Sequence, residues 1–206
     1  MDSWGKGVYT PHTLIHIQEN DMNFYGYIKN IYYAFERKKE KLYLKNLCRN
    51  GLKLGNNVEI VGNYFFDPSH CFLISIGNNC TICPNVRLIA HDASIKKLFN
   101  FTKIGRIEIK ENCFIGDSTI VLQNVTIGEN SIIGAGSVVT KNIAANMVAA
   151  GNPAKQLMTV KEYKERVERL SKDKKIFSKE YYIDKLDNTK RIEMIESLKK
   201  GTGFIV

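Results

Sequence analysis

Aliphatic residues recur at every sixth position through the middle of the chain. The longest run comprises Ile109, Ile115, Val121, Ile127, Ile133 and Val139. Four positions after each of these lies a small or compact residue: Cys113, Thr119, Val125, Ser131, Ser137 and Ile143. This period matches neither an α-helix, which repeats about every 3.6 residues, nor a strand, whose side chains alternate. An internal repeat of this kind is typical of a solenoid.

A six-residue repeat of this composition predicts a parallel β-helix in which each coil has three short, flat sides. The aliphatic residue points inward, the compact residue lies at the corner, and the coils stack like parallel strands about 4.8 Å apart. The same frame includes Ile76, Ile82 and Leu88, and it begins near Leu54, so the solenoid is predicted to run from about 54 to 150. Asparagine tolerates positive φ and is expected at the turns: Asn79, Asn85, Asn112, Asn124, Asn130 and Asn142.

The repeat is interrupted twice. Leu88 and Ile109 are 21 residues apart, three residues more than a multiple of six, so the segment 90–106 is predicted to leave the coil as a loop. Long loops without secondary structure of their own are often functional, and this one begins with His91, one of four histidines. The second interruption, 63–70, is predicted to form a polar bulge one coil away from the first.

Composition favours a globular protein of one domain, or one domain with an appendage, among its 206 residues. The sequence has no apolar run long enough to span a bilayer and no N-terminal secretory pattern, so a cytoplasmic protein is expected. The five cysteines are odd in number, and Cys80 and Cys113 fill corner positions of the repeat. Buried thiols are therefore expected in place of disulfides or a zinc site, and no metal is expected.

Positive charge is concentrated near the N-terminus of a chain whose net charge is +9. Residues 36–53 carry seven Lys or Arg against two Glu. Most such runs are solvated helix faces, although binding of an anionic cofactor or proximity to the inner membrane stays open. Nucleic acid is not expected as a partner, because the sequence contains no recognised binding motif and the aromatic residues are not interleaved with the basic run.

Helices are predicted on both sides of the solenoid, whose terminal coils would otherwise expose apolar surface. Residues 23–53 show helical spacing of apolar residues. Thr159 followed by Glu162 forms a capping-box pattern at the start of a second helix. The predicted organisation is a largely helical N-terminal cap over 1–53, a solenoid over 54–155 with its loop at 90–106, and a helical C-terminal extension over 156–206.

The motifs IGAGSVVTK at 133–141 and AAGNPAK at 149–155, together with the segment 76–94, resemble the hexapeptide-repeat acyltransferases. The likeness covers about 64–165. It is strongest to the galactoside, maltose and streptogramin acetyltransferase branch and to O-acetyltransferases of bacterial surface polysaccharides. This resemblance implies an all-β solenoid that is a left-handed parallel β-helix, against the usual right-handed crossover. It also implies a homotrimer with active sites between neighbouring subunits.

The resemblance places the catalytic histidine at His91. A neutral imidazole is suited to remove the proton of an attacking hydroxyl near neutral pH. Asp67, His70 and Asp92 are predicted to contact the acceptor. For His70, orienting His91 or capping a turn stays open, and Asp92 could instead steady the loop or the imidazole. The residues predicted to bind acetyl-CoA are Phe114, where relatives commonly carry tryptophan, Asp117, Gly134, Ala135, Thr140, Lys141 and Lys155.

The expected activity is acetyl-CoA-dependent O-acetylation of a sugar hydroxyl in capsule, O-antigen or lipopolysaccharide synthesis. The acceptor would be a small-molecule or lipid-linked saccharide. Alternatives with the same fold are N-acetylation of an amino sugar, O-acetylation of an antibiotic, and a non-catalytic scaffold. A γ-type carbonic anhydrase needs three zinc-binding histidines, whereas the predicted solenoid contains only His70 and His91.

Overall fold

The computed structural model describes residue 35 and residues 38–199 and 201–206. Residues 38–49 form the helix α1. The helix predicted over 23–53 is wrong for residues 50–53, which form a turn and the start of the first strand. Most of residues 23–37 lie outside the described residues, as do His12 and His16. Contacts divide the chain into two units, 1–46 and 47–206, and the description that follows concerns the second.

The second unit consists mainly of very short strands. In chain order they are β1 (Lys53–Leu54), β2 (Glu59–Ile60), β3 (Tyr64–Phe66), β4 (Ile74–Ile76), β5 (Thr81–Ile82), β6 (Val86–Ile89), β7 (His91–Asp92), β8 (Lys103–Ile104), β9 (Ile107–Ile109), β10 (Phe114–Ile115), β11 (Ile120–Leu122), β12 (Val125–Ile127), β13 (Ile132–Ile133), β14 (Val138–Val139), β15 (Met147–Gly151), β16 (Ala154–Thr159), β17 (Ile176–Phe177) and β18 (Phe204–Ile205).

Successive strands belong in turn to three parallel sheets. The first sheet has the order β1-β4-β9-β12, the second β2-β5-β10-β13-β15 and the third β3-β6-β11-β14. Outside the hairpin β7–β8, each sheet takes every third strand up to β14, and each strand pairs in parallel with its counterpart in the next coil. After β14, an isolated bridge between Ile143 and Ile127 stands on the first sheet before β15 joins the second. At the end of the second sheet, β16 pairs antiparallel with β15.

The aliphatic residues of the repeat form the core. All nine predicted to point inward are buried: Ile76, Ile82, Leu88, Ile109, Ile115, Val121, Ile127, Ile133 and Val139. Each such side chain contributes about 1.5–3 kcal/mol through burial. The compact corner residues are buried as well, including Cys80, Cys113, Thr119, Ser131 and Ser137. The corner thiols and hydroxyls form hydrogen bonds with nearby backbone carbonyls. For example, Ser131 Oγ donates to the carbonyl of Ala144 at 2.9 Å.

Asparagines take many of the turns. Five of the six predicted ones have φ between 55° and 62°: Asn79, Asn85, Asn112, Asn124 and Asn130. The prediction is wrong for Asn142, whose side-chain oxygen instead accepts the backbone N–H of Thr126 at 2.8 Å. A ladder of side-chain amide hydrogen bonds, 3.0 to 3.3 Å long, links asparagines of successive coils in the order Asn57, Asn79, Asn112, Asn130 and Asn146.

The loop 90–106 does leave the coil, but it has secondary structure of its own. β7 and β8 pair antiparallel, with His91 opposite Ile104, and the one-turn helix α2 (Lys96–Phe99) lies between them. The Gly105 N–H donates to the Ala90 carbonyl at 3.0 Å and closes the base. The six-residue repeat does not predict this pairing, because His91 and Ile104 both lie outside the repeat.

The second interruption lies further along the chain than predicted, at 67–73 in place of 63–70. Tyr64–Phe66 is an ordinary strand of the third sheet, with Phe66 paired to Leu88. Irregular backbone begins at Asp67 and includes a 3₁₀ turn at Cys71–Leu73. The predicted position one coil away from the first interruption is confirmed, because the Asp67 N–H donates to the Leu88 carbonyl at 2.9 Å.

The C-terminal segment contains the helices α3 (Val160–Ser171) and α4 (Asn188–Ser197). The predicted capping box is confirmed, since Thr159 accepts the Glu162 N–H and the Glu162 carboxylate accepts the Thr159 N–H. β17 and β18 form a separate parallel pair. In the described part of the chain, no helix is both long and apolar enough to cross a bilayer. The three-part domain division stays a prediction.

Candidate active site

The two interruptions meet at one corner because both follow strands of the third sheet. β3 ends at Phe66, which pairs with Leu88 of β6. Asp67 is the next residue after β3, and His91 lies three positions after Leu88. Strand register therefore brings together two residues that are 24 positions apart.

Asp67 holds the His91 ring in one orientation. The Asp67 side chain is fully buried, whereas the His91 side chain is 34% exposed. The Asp67 Oδ1 atom accepts the Ser69 N–H at 3.2 Å, and Oδ2 accepts the Ala90 N–H at 3.1 Å. The same Oδ2 forms a short hydrogen bond with His91 Nδ1. Because both carboxylate oxygens already accept backbone N–H groups, the proton of this bond lies on Nδ1, and the lone pair of the imidazole lies on Nε2.

His70 lies beside this pair with a polar atom unsatisfied. Its ring centroid is 5.0 Å from that of His91. The His70 Nδ1 atom is 3.9 Å from Asp67 Oδ1 and has no hydrogen-bond partner among the described residues, although it is buried. The side chain makes no capping bond to the 3₁₀ turn that follows it, so turn capping is not its role in this structure. A buried polar atom without a partner is uncommon.

Asp92 stabilises the hairpin. Its carboxylate accepts the Ser94 N–H at 2.8 Å and the Lys103 ammonium at 3.3 Å. The hydrogen bonds from Ser94, followed by Lys103, lower the pKa of Asp92 from its ordinary value. Of the two roles that the sequence leaves to Asp92 besides acceptor binding, steadying the loop matches these contacts.

Asp67, His70 and His91 also form a cluster whose potential ligand atoms lie within 4.8 Å of one another. One carboxylate with two imidazoles is a donor set that zinc accepts. Coordination by both Asp67 Oδ2 and His91 Nδ1 would, however, displace the proton between them and break their hydrogen bond. The expectation of no metal stays a prediction, which metal analysis of the purified protein tests.

The residues predicted to bind acetyl-CoA lie in several places on one chain. Phe114 is exposed on β10, and Asp117, Gly134 and Ala135 lie at the corner between the second and third sheets. At that corner Gly136 N–H donates to the Asp117 carbonyl at 2.7 Å. A Cβ atom on the neighbouring Gly116 would lie 2.6 Å from Ala135 N, so the close approach of the coils requires glycine.

The remaining predicted acetyl-CoA residues lie elsewhere. Thr140 and Lys141 are exposed and directly follow β14, on the third sheet whose strands β3 and β6 precede Asp67 and His91. Lys155 is exposed on β16. The structure thus brings Asp67, His70 and His91 together, whereas the predicted acetyl-CoA residues are spread over β10, the corner that follows β10 and β13, the end of β14, and β16.

The pairing of Asp67 with His91 is the feature that sequence reasoning missed. Asp67 is predicted to contact the acceptor, whereas its buried carboxylate faces His91. The signal was available in the register: once Phe66 and Leu88 are placed on the same sheet position, the residues that follow them must be neighbours.

Comparison with known proteins defines the class. Residues 106–141 match the family described as bacterial transferase hexapeptide (six repeats). The chain is 35% identical to protein CapG of Staphylococcus aureus over 79% of this chain and 98% of that protein. It is 34% identical to a putative acetyltransferase of Dictyostelium discoideum over 75% and 84% of the two chains.

A galactoside O-acetyltransferase of Escherichia coli shares 33% identity over 63% of each chain. The solved structure of a galactoside acetyltransferase in complex with coenzyme A overlaps 54% of this chain and 62% of its own, with 31% identity and a TM-score of 0.45. The protein is an acyltransferase. It belongs to the hexapeptide-repeat acetyltransferase family.

Proposed function

We propose that the protein transfers the acetyl group of acetyl-CoA to a hydroxyl group of a saccharide, with His91 as the general base. The observation that carries the proposal is the buried Asp67 carboxylate on His91 Nδ1. This bond favours the tautomer whose Nε2 can accept a proton, and the His91 side chain is partly exposed. A carboxylate that orients a catalytic imidazole serves this purpose on several unrelated folds.

The reaction needs no covalent enzyme intermediate, because a thioester is already activated. The acceptor oxygen attacks the thioester carbonyl carbon while its proton moves to His91 Nε2. The tetrahedral intermediate then collapses, the carbon–sulfur bond breaks, and the imidazolium returns the proton to the leaving thiolate of CoA. Asp67 stabilises the imidazolium between the two proton transfers.

The proposal extends to the fold and the assembly: a left-handed β-helix that forms a homotrimer, with acetyl-CoA bound between subunits. The separation of Thr140 and Lys141 from Asp117, Gly134 and Ala135 on one chain supports a site to which two chains contribute. The hairpin also carries exposed apolar side chains that a neighbouring subunit would cover: Leu98, Phe99, Phe101 and Ile104. Surfaces of this kind are typical of protein–protein contacts.

For the acceptor, we propose a saccharide of surface-polysaccharide synthesis. The support comes from the motifs at 76–94, 133–141 and 149–155 and from a relative named for O-acetylation of a galactoside. His70 is proposed to contact the acceptor, because its buried Nδ1 has no hydrogen-bond partner among the described residues and a sugar hydroxyl would supply one.

The test is an acetyl-transfer assay with the full chain, acetyl-CoA and a panel of neutral, amino and acidic sugars, in which released CoA thiol is measured. We expect transfer to hydroxyl acceptors, and His91→Ala should lower kcat by about 10²- to 10⁴-fold with acetyl-CoA binding retained by calorimetry. Lys164→Ala on the exposed face of α3 serves as the control.

Two results would contradict the proposal. Full transfer activity in a folded His91→Ala protein would exclude the histidine as the base. Absence of both transfer and acetyl-CoA binding in the unaltered protein would favour a non-catalytic hexapeptide scaffold.

A further inference from the structure

The outer face of the first sheet carries a basic cleft next to the catalytic corner. A cavity of about 220 Å³ is lined by Lys53, Ser75, Arg106, Glu108 and Lys110 and is bounded on one side by the 3₁₀ turn and β4 at 72–74. Parallel pairing puts Lys53 opposite Ser75 and Ser75 opposite Glu108. These three side chains therefore form one row across three coils.

The charges of the cleft do not balance. Glu108 forms ion pairs with Arg106 and, at 2.8 Å, with Lys110. The Lys110 hydrogen bond, then the charges of Arg106, Lys110 and Lys53, lower the pKa of Glu108, so one carboxylate faces three cations. The lining has an excess of two positive charges, and its cationic groups converge on one small space, which favours an anion.

Two connections link the cleft to the catalytic corner. Phe72 lines the cleft, its ring centroid is 6.0 Å from that of His70, and His70 is 5.0 Å from His91. On the other side, the Gly105 N–H donates to the Ala90 carbonyl at 3.0 Å and closes the loop that contains His91. Arg106 is the next residue after this closure. The cleft and the corner that holds His91 are therefore adjacent.

We propose that the acceptor carries an anionic group, a carboxylate or a phosphate, which binds in the cleft to Lys53, Arg106 and Lys110 while a hydroxyl of the same saccharide lies at His91. This inference rests on the proposed function and adds the chemical class of its acceptor. Ser75, between the two ends of the row, supplies a neutral hydrogen-bond donor for the same group.

The test measures binding separately from catalysis. Galacturonate, galactose 1-phosphate and neutral galactose are titrated calorimetrically into the full chain in the presence of CoA. We expect at least one anionic sugar to bind about tenfold or more tightly than galactose, with an affinity that falls as salt rises. The two anionic probes distinguish a carboxylate acceptor from a phosphorylated one.

Variants then assign the binding to the cleft. Lys53→Met with Lys110→Met should weaken binding of the anionic sugar by about tenfold or more. Lys161→Met with Lys164→Met removes the same charge from exposed positions of α3 and should change little. Glu108→Gln removes the competing carboxylate and should tighten anion binding by roughly threefold or more, a gain that misfolding cannot produce.

The inference is overturned if neither anionic sugar binds more tightly than galactose, or if the cleft double variant behaves like the α3 double variant. Its failure is distinct from that of the proposed function. An unaltered protein that binds the anionic sugars but transfers no acetyl group would contradict the activity alone. A protein that acetylates the anionic sugars no better than galactose, with no change in the cleft variants, would contradict the cleft alone.

Discussion

The regular coils and the corner where they are interrupted use polar residues in opposite ways. In the coils, a buried hydroxyl such as that of Ser131 bonds to a backbone carbonyl of the next coil. At the corner, Asp67 is fully buried and bonds to a histidine ring, while His70 Nδ1 is buried without a described partner. The first arrangement completes the fold by itself, whereas the second leaves bonding capacity for a substrate.

This difference shows how a repetitive fold accommodates the proposed active site. Each coil is held by inward aliphatic residues and by parallel pairing on both sides, so stability is distributed over many similar contacts. A local departure from the repeat is then tolerated at one corner. Departures from otherwise consistent local rules are expected at functional sites, and the following predictions test whether the two regions separate in this way.

The largest effect is expected at the corner, from Asp67→Asn. An amide can donate to His91 Nδ1 and so favour the tautomer with the proton on Nε2, which cannot act as a base. We expect kcat for acetyl transfer to fall by about 10³-fold. The new amide nitrogen would also face the backbone N–H of Ala90 or Ser69, which the carboxylate accepts in the unaltered protein, so the free energy of unfolding should fall by about 1–3 kcal/mol as well. Asp92→Asn, which changes the other carboxylate of this corner, should lower kcat by less than about threefold. Equal losses in the two variants would contradict the positioning role of Asp67.

In the coils, Ile127→Ala should affect stability and not chemistry. Ile127 is fully buried, and removal of such a side chain costs about 2–5 kcal/mol in the free energy of unfolding. Ile183→Ala is the matched control, because Ile183 is 87% exposed and its truncation should cost no more than about 0.5 kcal/mol. Denaturant unfolding followed by circular dichroism measures both. Similar losses for the two variants would show that the repeat does not carry the stability.

The same contrast explains what could be predicted from sequence. The inward aliphatics were predictable because their six-residue period is regular within each run. The neighbouring positions of Asp67 and His91 were missed, because Phe66 lies in the segment 63–70 that was predicted as a bulge and so was not paired with Leu88. The pairing of His91 with Ile104 was not predictable, because both residues lie outside the frame. The row of Lys53, Ser75 and Glu108 was also missed, although each of these residues directly precedes a residue of the frame.

Asparagine turns offer a smaller test of the comparison. Asn112 has φ of 56° and exchanges side-chain amide bonds with Asn79 and Asn130. Asn100, in the hairpin, has φ of 57° and lies outside this ladder. Replacement by alanine places a less tolerant residue at positive φ in both cases, at about 1 kcal/mol, and Asn112→Ala loses the ladder bonds in addition. We expect about 2 kcal/mol for Asn112→Ala and about 1 kcal/mol for Asn100→Ala in the free energy of unfolding.

If Asn100→Ala lowers the free energy of unfolding as much as Asn112→Ala does, the side-chain ladder contributes nothing beyond the backbone conformation. Asn112→Gly, which accepts positive φ but cannot form the ladder, isolates the side-chain bonds.

The smallest expected effect is a loosening of the hairpin β7–β8 at low pH. Hydrogen bonds from Ser94, followed by Lys103, lower the pKa of Asp92 below its ordinary value of 3.8. A carboxyl group with a lowered pKa in the folded state stabilises that state above its unfolded pKa, and this contribution is lost as pH falls through the lower, folded value. The base of the hairpin should therefore loosen at a pH below 3.8, whereas the amide of Gly134 in the coils, which bonds to the Ala149 carbonyl, should not respond to this titration. NMR detects both through the Ser94 and Gly134 amide shifts, and Asp92→Asn should abolish the Ser94 transition. A Ser94 midpoint above 3.8, or a transition that survives in Asp92→Asn, would show that Asp92 does not stabilise the hairpin.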